Sequence, residues 1–203
     1  MRLTTASLKD LARRSILPVA AAFVRLGISP NALTVLGLLL NVGVGLVLAA
    51  GYQTAGGFFV LFAGLFDMLD GAVARVSQRV TVFGGFLDST LDRYSEAVVF
   101  LGLLLWYARE GRTTEVVLVY AVIVGSVMVS YTRARAEGLG LRCEVGWLQR
   151  PERIALLGAG LILGLVTPVL WLLAVFTNLT TLQRILHVYR STRSANDSAG
   201  GKE

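Results

Sequence analysis

Four aspartates, Asp67, Asp70, Asp88 and Asp92, stand inside FDMLDGAVARVSQRVTVFGGFLDSTLDRY, residues 66–94, in one of the most apolar parts of the chain. A charged side chain at the centre of a lipid-facing helix costs about 2.5–3.5 kcal/mol on insertion scales. Four of them need a compensating charge, and nearby only Arg75 and Arg93 could supply it from the protein. One or two bound divalent cations are the more economical compensation. Asp67 and Asp70 are three apart, Asp88 and Asp92 four apart, so each pair shares one helix face. Gly71, Ala74 and Arg75 extend the face of Asp67, adding two small side chains that let a ligand approach the backbone, then a cation. Aspartate oxygens are hard ligands suited to Mg2+ or Mn2+, and Mg2+ typically binds through a few carboxylates plus substrate phosphate oxygens. The competing structural reading is a buried acid–arginine network that ties two helices together.

The elements that must position these acids are membrane helices. With 55% hydrophobic residues, 16% charged and a mean hydropathy of +0.67, the composition is that of an all-α, multi-pass membrane protein. Runs near the ~18 apolar residues needed to cross a bilayer recur along its 203 residues. We expect six spans, at about 32–50, 56–76, 84–108, 115–136, 152–167 and 169–189, with Thr167-Pro168 as the break before the last. The expected domains are an N-terminal juxtamembrane amphipathic helix over 1–28, one membrane domain over 29–190 and a disordered polar tail over 191–203. Ile28-Ser29-Pro30-Asn31 supplies the stop and start before span one, with Asn31 as a candidate N-cap. The first acid pair lies near the end of one span and the second near the start of the next. A short reversal at 77–83 therefore brings both to the same membrane side.

Charge sets the orientation. Of the 19 lysines and arginines, all but Arg109 and Arg112 fall on the side of the termini and the acids. The positive-inside rule places that side in the cytoplasm of a cell membrane. The surplus of basic residues is thus a topological signal, and no nucleic-acid partner is expected. A single cysteine, Cys143, excludes an internal disulfide. Asn178-Leu179-Thr180 matches a glycosylation sequon within an apolar run, and His187 stands alone near a helix end; neither is assigned a role.

The series Asp67-x2-Asp70-Gly71-x2-Ala74-Arg75-x8-Gly84-x3-Asp88-x3-Asp92 resembles the full motif of the CDP-alcohol phosphotransferase family, without departures. The resemblance implies six transmembrane helices after an interfacial helix, commonly in a homodimer, and a reaction that displaces CMP from a CDP-linked lipid with an alcohol hydroxyl. It implies that Asp67, Asp70, Asp88 and Asp92 hold two metal ions and that Asp92 is the general base. Gly71, Ala74, Arg75 and Gly84, with Asp67 and Asp70, would contact the cytidine diphosphate of CDP-diacylglycerol; Asn31 and Thr34 are further candidates there. Ser130 to Glu137 and Arg150-Pro151-Glu152-Arg153 are similar to segments of a bacterial branch, the phosphatidylinositol phosphate synthases. By that likeness Arg133, Arg135 and Arg153, with Arg184 as a fourth, hold the phosphate of inositol phosphate. Arg133 stands where relatives often carry lysine, which keeps the charge and alters the donor geometry. Three or four guanidiniums suit a phosphomonoester, since arginine binds phosphate bidentately. Within the same chemistry the alternatives are glycerol 3-phosphate as acceptor and an archaeal-type ether lipid as donor. From another class, a divalent-cation transporter is disfavoured: the acids cluster near one face and the halves show no repeat.

Overall fold

The computed structural model describes residues 17–200, with side chains to residue 193. Seven helices are seen and, among the described residues, no strand: α1 (residues 17–25), α2 (Pro30–Ala49), α3 (Gln53–Val76), α4 (Val82–Arg109), α5 (Thr113–Gly138), α6 (Arg150–Ile162) and α7 (Val166–Gly200). Most of the expected N-terminal amphipathic helix, including Lys9, Arg13 and Arg14, lies outside the described residues. What is seen of it, α1, packs through Ala20 against Leu33 of α2 and Ala72 and Val73 of α3.

Helices α2, α3, α5 and α7 are long and apolar enough to cross a membrane. Helix α4 is long enough, about 42 Å at 1.5 Å per residue, but carries Asp88, Asp92, Arg93 and Glu96 along its first half. Helix α6 has only 13 residues, about 20 Å against a hydrocarbon core of about 30 Å. It ends earlier than the expected fifth span because Gly164, at φ +71°, reverses the chain. Pro168, expected to separate two spans, instead lies in the first turn of α7, where a missing N–H leaves no intrahelical bond unmade. The same helix continues to Gly200, through the segment expected to be a disordered tail from Ser191. No proline interrupts it after residue 168, and the Ser191 and Thr192 hydroxyls donate back to the His187 and Val188 carbonyls. Residues 201–203 lie outside the described residues.

The packing closes a ring: α3 on α2, α2 on α4, α4 on α5, α5 on α7, α7 on α6 and α6 back on α3. Its centre is filled by apolar side chains from six helices, among them Leu48, Val60, Phe100, Leu103, Val122, Leu157 and Leu170. The α2–α4 contact depends on two glycines. A Cβ on Gly102 would lie 2.2 Å from the Gly45 carbonyl oxygen, whereas one on Gly43 would meet nothing within 4 Å. Because the obstacle is backbone, Gly102→Ala is expected to destabilise by about 1–3 kcal/mol, the usual cost of overpacking. Gly43→Ala is expected to be neutral, and thermal unfolding in detergent compares the two.

Candidate active site

The end of the ring where α3 finishes and α4 begins holds all four motif aspartates. Helix α2 begins there with Ser29 as its N-cap, the Ala32 N–H donating to Ser29 Oγ at 3.2 Å, and with Pro30 in its first turn. The cap role expected of Asn31 thus falls to Ser29, and Asn31 is left lining a cavity. Helix α4 starts from Thr81, whose hydroxyl accepts from the Gly84 N–H at 2.9 Å. Both helix starts present the positive ends of their dipoles to this cavity, which favours an anion.

The cavity measures about 330 Å3. Its walls include Asn31, Thr34, Asp70, Gly71, Ala74, Arg75, Gly84 and Asp88, so every nucleotide candidate but Asp67 lines it. Arg79, Thr81 and Gly85 line it as well and escaped the motif reading. Asp70 is held firmly: Thr34 donates its hydroxyl to Oδ2 at 2.8 Å, and the Gly71 N–H donates to Oδ1 at 2.5 Å. Gly84 is small for a reason, since a Cβ there would come within 3.2 Å of the Asn31 side-chain oxygen. Gly37 plays the same part on α2, where a Cβ would lie 2.8 Å from Asp67 Oδ1.

Asp67 and Asp92 face a second centre, which sequence spacing did not single out. The Arg150 guanidinium donates to Asp67 Oδ2 at 2.5 Å and pairs with Asp92 Oδ1 at 2.8 Å. Arg93 reaches the other Asp92 oxygen at 3.3 Å and donates to Ser130 Oγ at 2.6 Å. One turn further into the bundle, Arg153 donates through Nε and Nη2 to both oxygens of Glu96, at 2.6 and 2.7 Å. That inner pair is almost fully buried, at 1% and 4% exposure. Two acid–arginine rungs thus join α4 to α6. The spacing signal was present, Asp92 and Glu96 being four apart and Arg150 and Arg153 three apart, but it names no partner.

The residues expected to hold an acceptor phosphate are dispersed in their engagements. Arg133 donates to Glu137 at 2.8 Å, one turn along α5, and Arg135 is exposed. Arg153 is committed to Glu96 and to the Leu148 carbonyl, so it faces no open anion site. Arg184 is buried, yet its hydrogen bonds go to the Val145 and Val129 carbonyls. Among the described residues no carboxylate neutralises it. With Arg153 it pins the loop between α5 and α6.

The donor set fits divalent ions in chemistry, four carboxylates from two helices beside an anion cavity. Its arrangement is not yet convergent, because among the described residues no three acidic, histidine or cysteine side chains are placed to hold one ion. Asp70 points to Thr34, while Asp67 and Asp92 point to Arg150.

Residues 27–184 match the family described as CDP-alcohol phosphatidyltransferase. The chain is 39% identical over 189 residues to the phosphatidylinositol phosphate synthase of Mycobacteroides abscessus, covering 89% of this chain and 86% of that protein. It is 36% identical over 188 residues to the archaetidylinositol phosphate synthase of Methanothermobacter thermautotrophicus, covering 90% and 92%. Crystal structures of the Mycobacterium tuberculosis phosphatidylinositol phosphate synthase resemble it closely. The one with CDP-DAG bound superposes with a TM-score of 0.81 at 37% identity over 87% of this chain and 94% of that one. The one in complex with manganese and citrate gives 0.81 at 37% identity over 86% and 88%.

Proposed function

This chain belongs to the CDP-alcohol phosphatidyltransferase family, and we propose that it is a membrane phospholipid synthase that transfers the phosphatidyl group of CDP-diacylglycerol to inositol phosphate, releasing CMP. The observation that carries the reading is the cavity of about 330 Å3 between the first turns of α2 and α4, lined by Asp70, Asp88, Arg75 and Arg79. It offers helix dipoles and guanidiniums to a diphosphate directly beside the motif acids. Asn31, Thr34, Gly71, Ala74 and Gly84 shape its nucleotide end.

Asp92 takes the proton of the attacking inositol hydroxyl. The hydroxyl oxygen forms a bond to the lipid-side phosphorus of the pyrophosphate, the bond from that phosphorus to the bridging oxygen breaks, and CMP leaves with the electron pair. Two divalent ions, Mg2+ or Mn2+, held by Asp67, Asp70, Asp88 and Asp92, would neutralise the pyrophosphate and clamp the attacking and leaving oxygens. Arg75 and the Gly71 backbone orient the nucleotide, and Thr34 fixes the Asp70 carboxylate through its hydroxyl.

The acceptor phosphate is held by Arg133, Arg135 and Arg184, with Arg153 behind them on Glu96. Support comes from Arg184, a buried cation that has only neutral carbonyl partners among the described residues and therefore has charge to spare for an anion. Removing one charge-assisted hydrogen-bonding group costs about 1.5–3 kcal/mol, roughly 10–100-fold. Arg184→Ala is accordingly expected to raise the acceptor KM by that factor while the CDP-diacylglycerol KM moves little. Equal changes in both would assign Arg184 to loop support alone.

In the membrane, α4 and the short α6 join α2, α3, α5 and α7 in a six-helix domain, with the turn at Gly164 set inside the hydrocarbon core by the packing of α6 on α3 and α7. The termini and the site face the cytoplasm, as the basic excess on that side supports, and the chain assembles as a homodimer, as the family resemblance implies. The deciding experiment supplies purified protein with radiolabelled CDP-diacylglycerol and either inositol phosphate or glycerol 3-phosphate. Lipid product with inositol phosphate is expected; product with glycerol 3-phosphate alone overturns the acceptor. An ether-linked CDP-lipid in a parallel arm tests the donor, since the archaetidylinositol phosphate synthase is nearly as similar as the bacterial one.

A further inference from the structure

We propose that Arg150 is a built-in counter-cation for the acid cluster: it clasps Asp67 and Asp92 while the divalent site is open, and it competes with the ions that load there. The inference rests on the metal-dependent reading above.

Three observations converge on it. First, the Arg150 guanidinium spans carboxylates of two different helices, Asp67 on α3 and Asp92 on α4, at 2.5 and 2.8 Å, so a residue of α6 joins the two halves of the motif. Second, those same two carboxylates are bridged by Arg150 while Asp70 accepts from Thr34, and no trio among the described residues is placed to hold an ion. Convergence of the acids requires the guanidinium to withdraw from at least one of them. Third, the clasp is of a kind that can open. Its Nε is buried with no hydrogen-bond partner, so the guanidinium is incompletely satisfied where it stands. Its side chain and those of Asp67 and Asp92 are 20%, 13% and 19% exposed, open to ions and water, whereas the Arg153–Glu96 rung one turn inward is sealed. The inner rung fixes α6 against α4, and the outer rung is free to exchange its cation.

The electrostatics give a sign. A guanidinium already neutralising two carboxylates must be displaced before a divalent ion can use them, and what remains nearby repels that ion. Removing Arg150 should therefore weaken the protein without metal and strengthen its hold on metal. A residue with a merely structural role would lower stability in both conditions and leave the affinity alone.

The test uses the full chain in nanodiscs, as wild type, Arg150→Gln and Arg150→Lys. Free Mn2+ is followed by electron paramagnetic resonance, and thermal unfolding is measured with EDTA and with saturating Mn2+. Arg150→Gln is expected to bind Mn2+ about tenfold more tightly, the change that follows from relieving about 1.4 kcal/mol of like-charge repulsion. Its Tm should fall in EDTA and return close to wild type with Mn2+. Arg150→Lys, which keeps the charge but not the two-pronged reach, should fall between. If Arg150→Gln does not survive in EDTA, Arg150→Lys and the Mn2+-loaded Arg150→Gln still report the affinity. Equal or weaker Mn2+ binding by the variants overturns the proposal. Failure of wild type to bind Mn2+ at all, with lipid synthesis undiminished in EDTA, instead overturns the metal-dependent reading, and this inference with it.

Discussion

Asp92→Asn is expected to abolish turnover, by about 10^3-fold or more, while CDP-diacylglycerol binding stays within a few-fold of wild type. A positioned general base alone contributes typically about 10^2–10^4-fold, and the amide also withdraws a charged ligand from the ions. The substitution is nearly isosteric, so the α4 backbone and the neighbouring Arg93–Ser130 bond have no steric cause to move. Donor binding should persist because the cavity proposed for the nucleotide is walled by Asn31, Thr34, Asp70, Gly71, Arg75 and Asp88, and Asp92 is not part of that wall. Single-turnover CMP release, paired with equilibrium binding of radiolabelled CDP-diacylglycerol, separates the two effects. Activity near wild type would remove Asp92 as the base. Loss of donor binding in step with turnover would place it among the nucleotide contacts instead.

The largest effect on stability is expected at Glu96, a residue that no motif contains. Glu96→Ala leaves the Arg153 guanidinium buried with only the Leu148 carbonyl as a partner. Removing one member of a buried ion pair costs about 3–5 kcal/mol, because the other charge stays desolvated and unpaired. For a chain of this size that corresponds to a fall in Tm on the order of 10 °C, readable from tryptophan fluorescence on heating. The double substitution Glu96→Leu with Arg153→Met removes both charges and should recover most of the loss, since apolar replacements of buried pairs are often neutral or better. A wild-type Tm for Glu96→Ala would show that Arg153 finds solvent or another anion, contrary to its 1% exposure.

The two aspartate pairs, their helix faces and the side of the membrane they share follow from spacings of three and four, from hydropathy and from the distribution of arginines. Helices α2, α3, α4 and α5 begin and end within a few residues of the expected spans. The misplacements occur where hydropathy carries no information about ends. Proline reads as a breaker, yet Pro168 lies where a helix has no bond to lose, so α7 starts before it. The fifth span reads as running to residue 167, yet α6 ends at Ile162 because Gly164 turns the chain at φ +71°.

The arginines divide the matter most sharply. A motif names residue types at fixed gaps, which suffices to single out candidates for the metal ligands and for the nucleotide contacts from sequence alone. Arg133, Arg135, Arg150, Arg153 and Arg184 look alike in sequence, each a cation near the expected end of a span. What sets Arg150 and Arg153 apart is which acid another helix brings within hydrogen-bond reach: Glu96 is 57 positions from Arg153, and Asp67 is 83 from Arg150. Local periodicity extends over one helix and cannot specify such pairs. They exist only because α6 closes the ring against α3 and α4, and a charge removed from water must take whatever partner the packing provides.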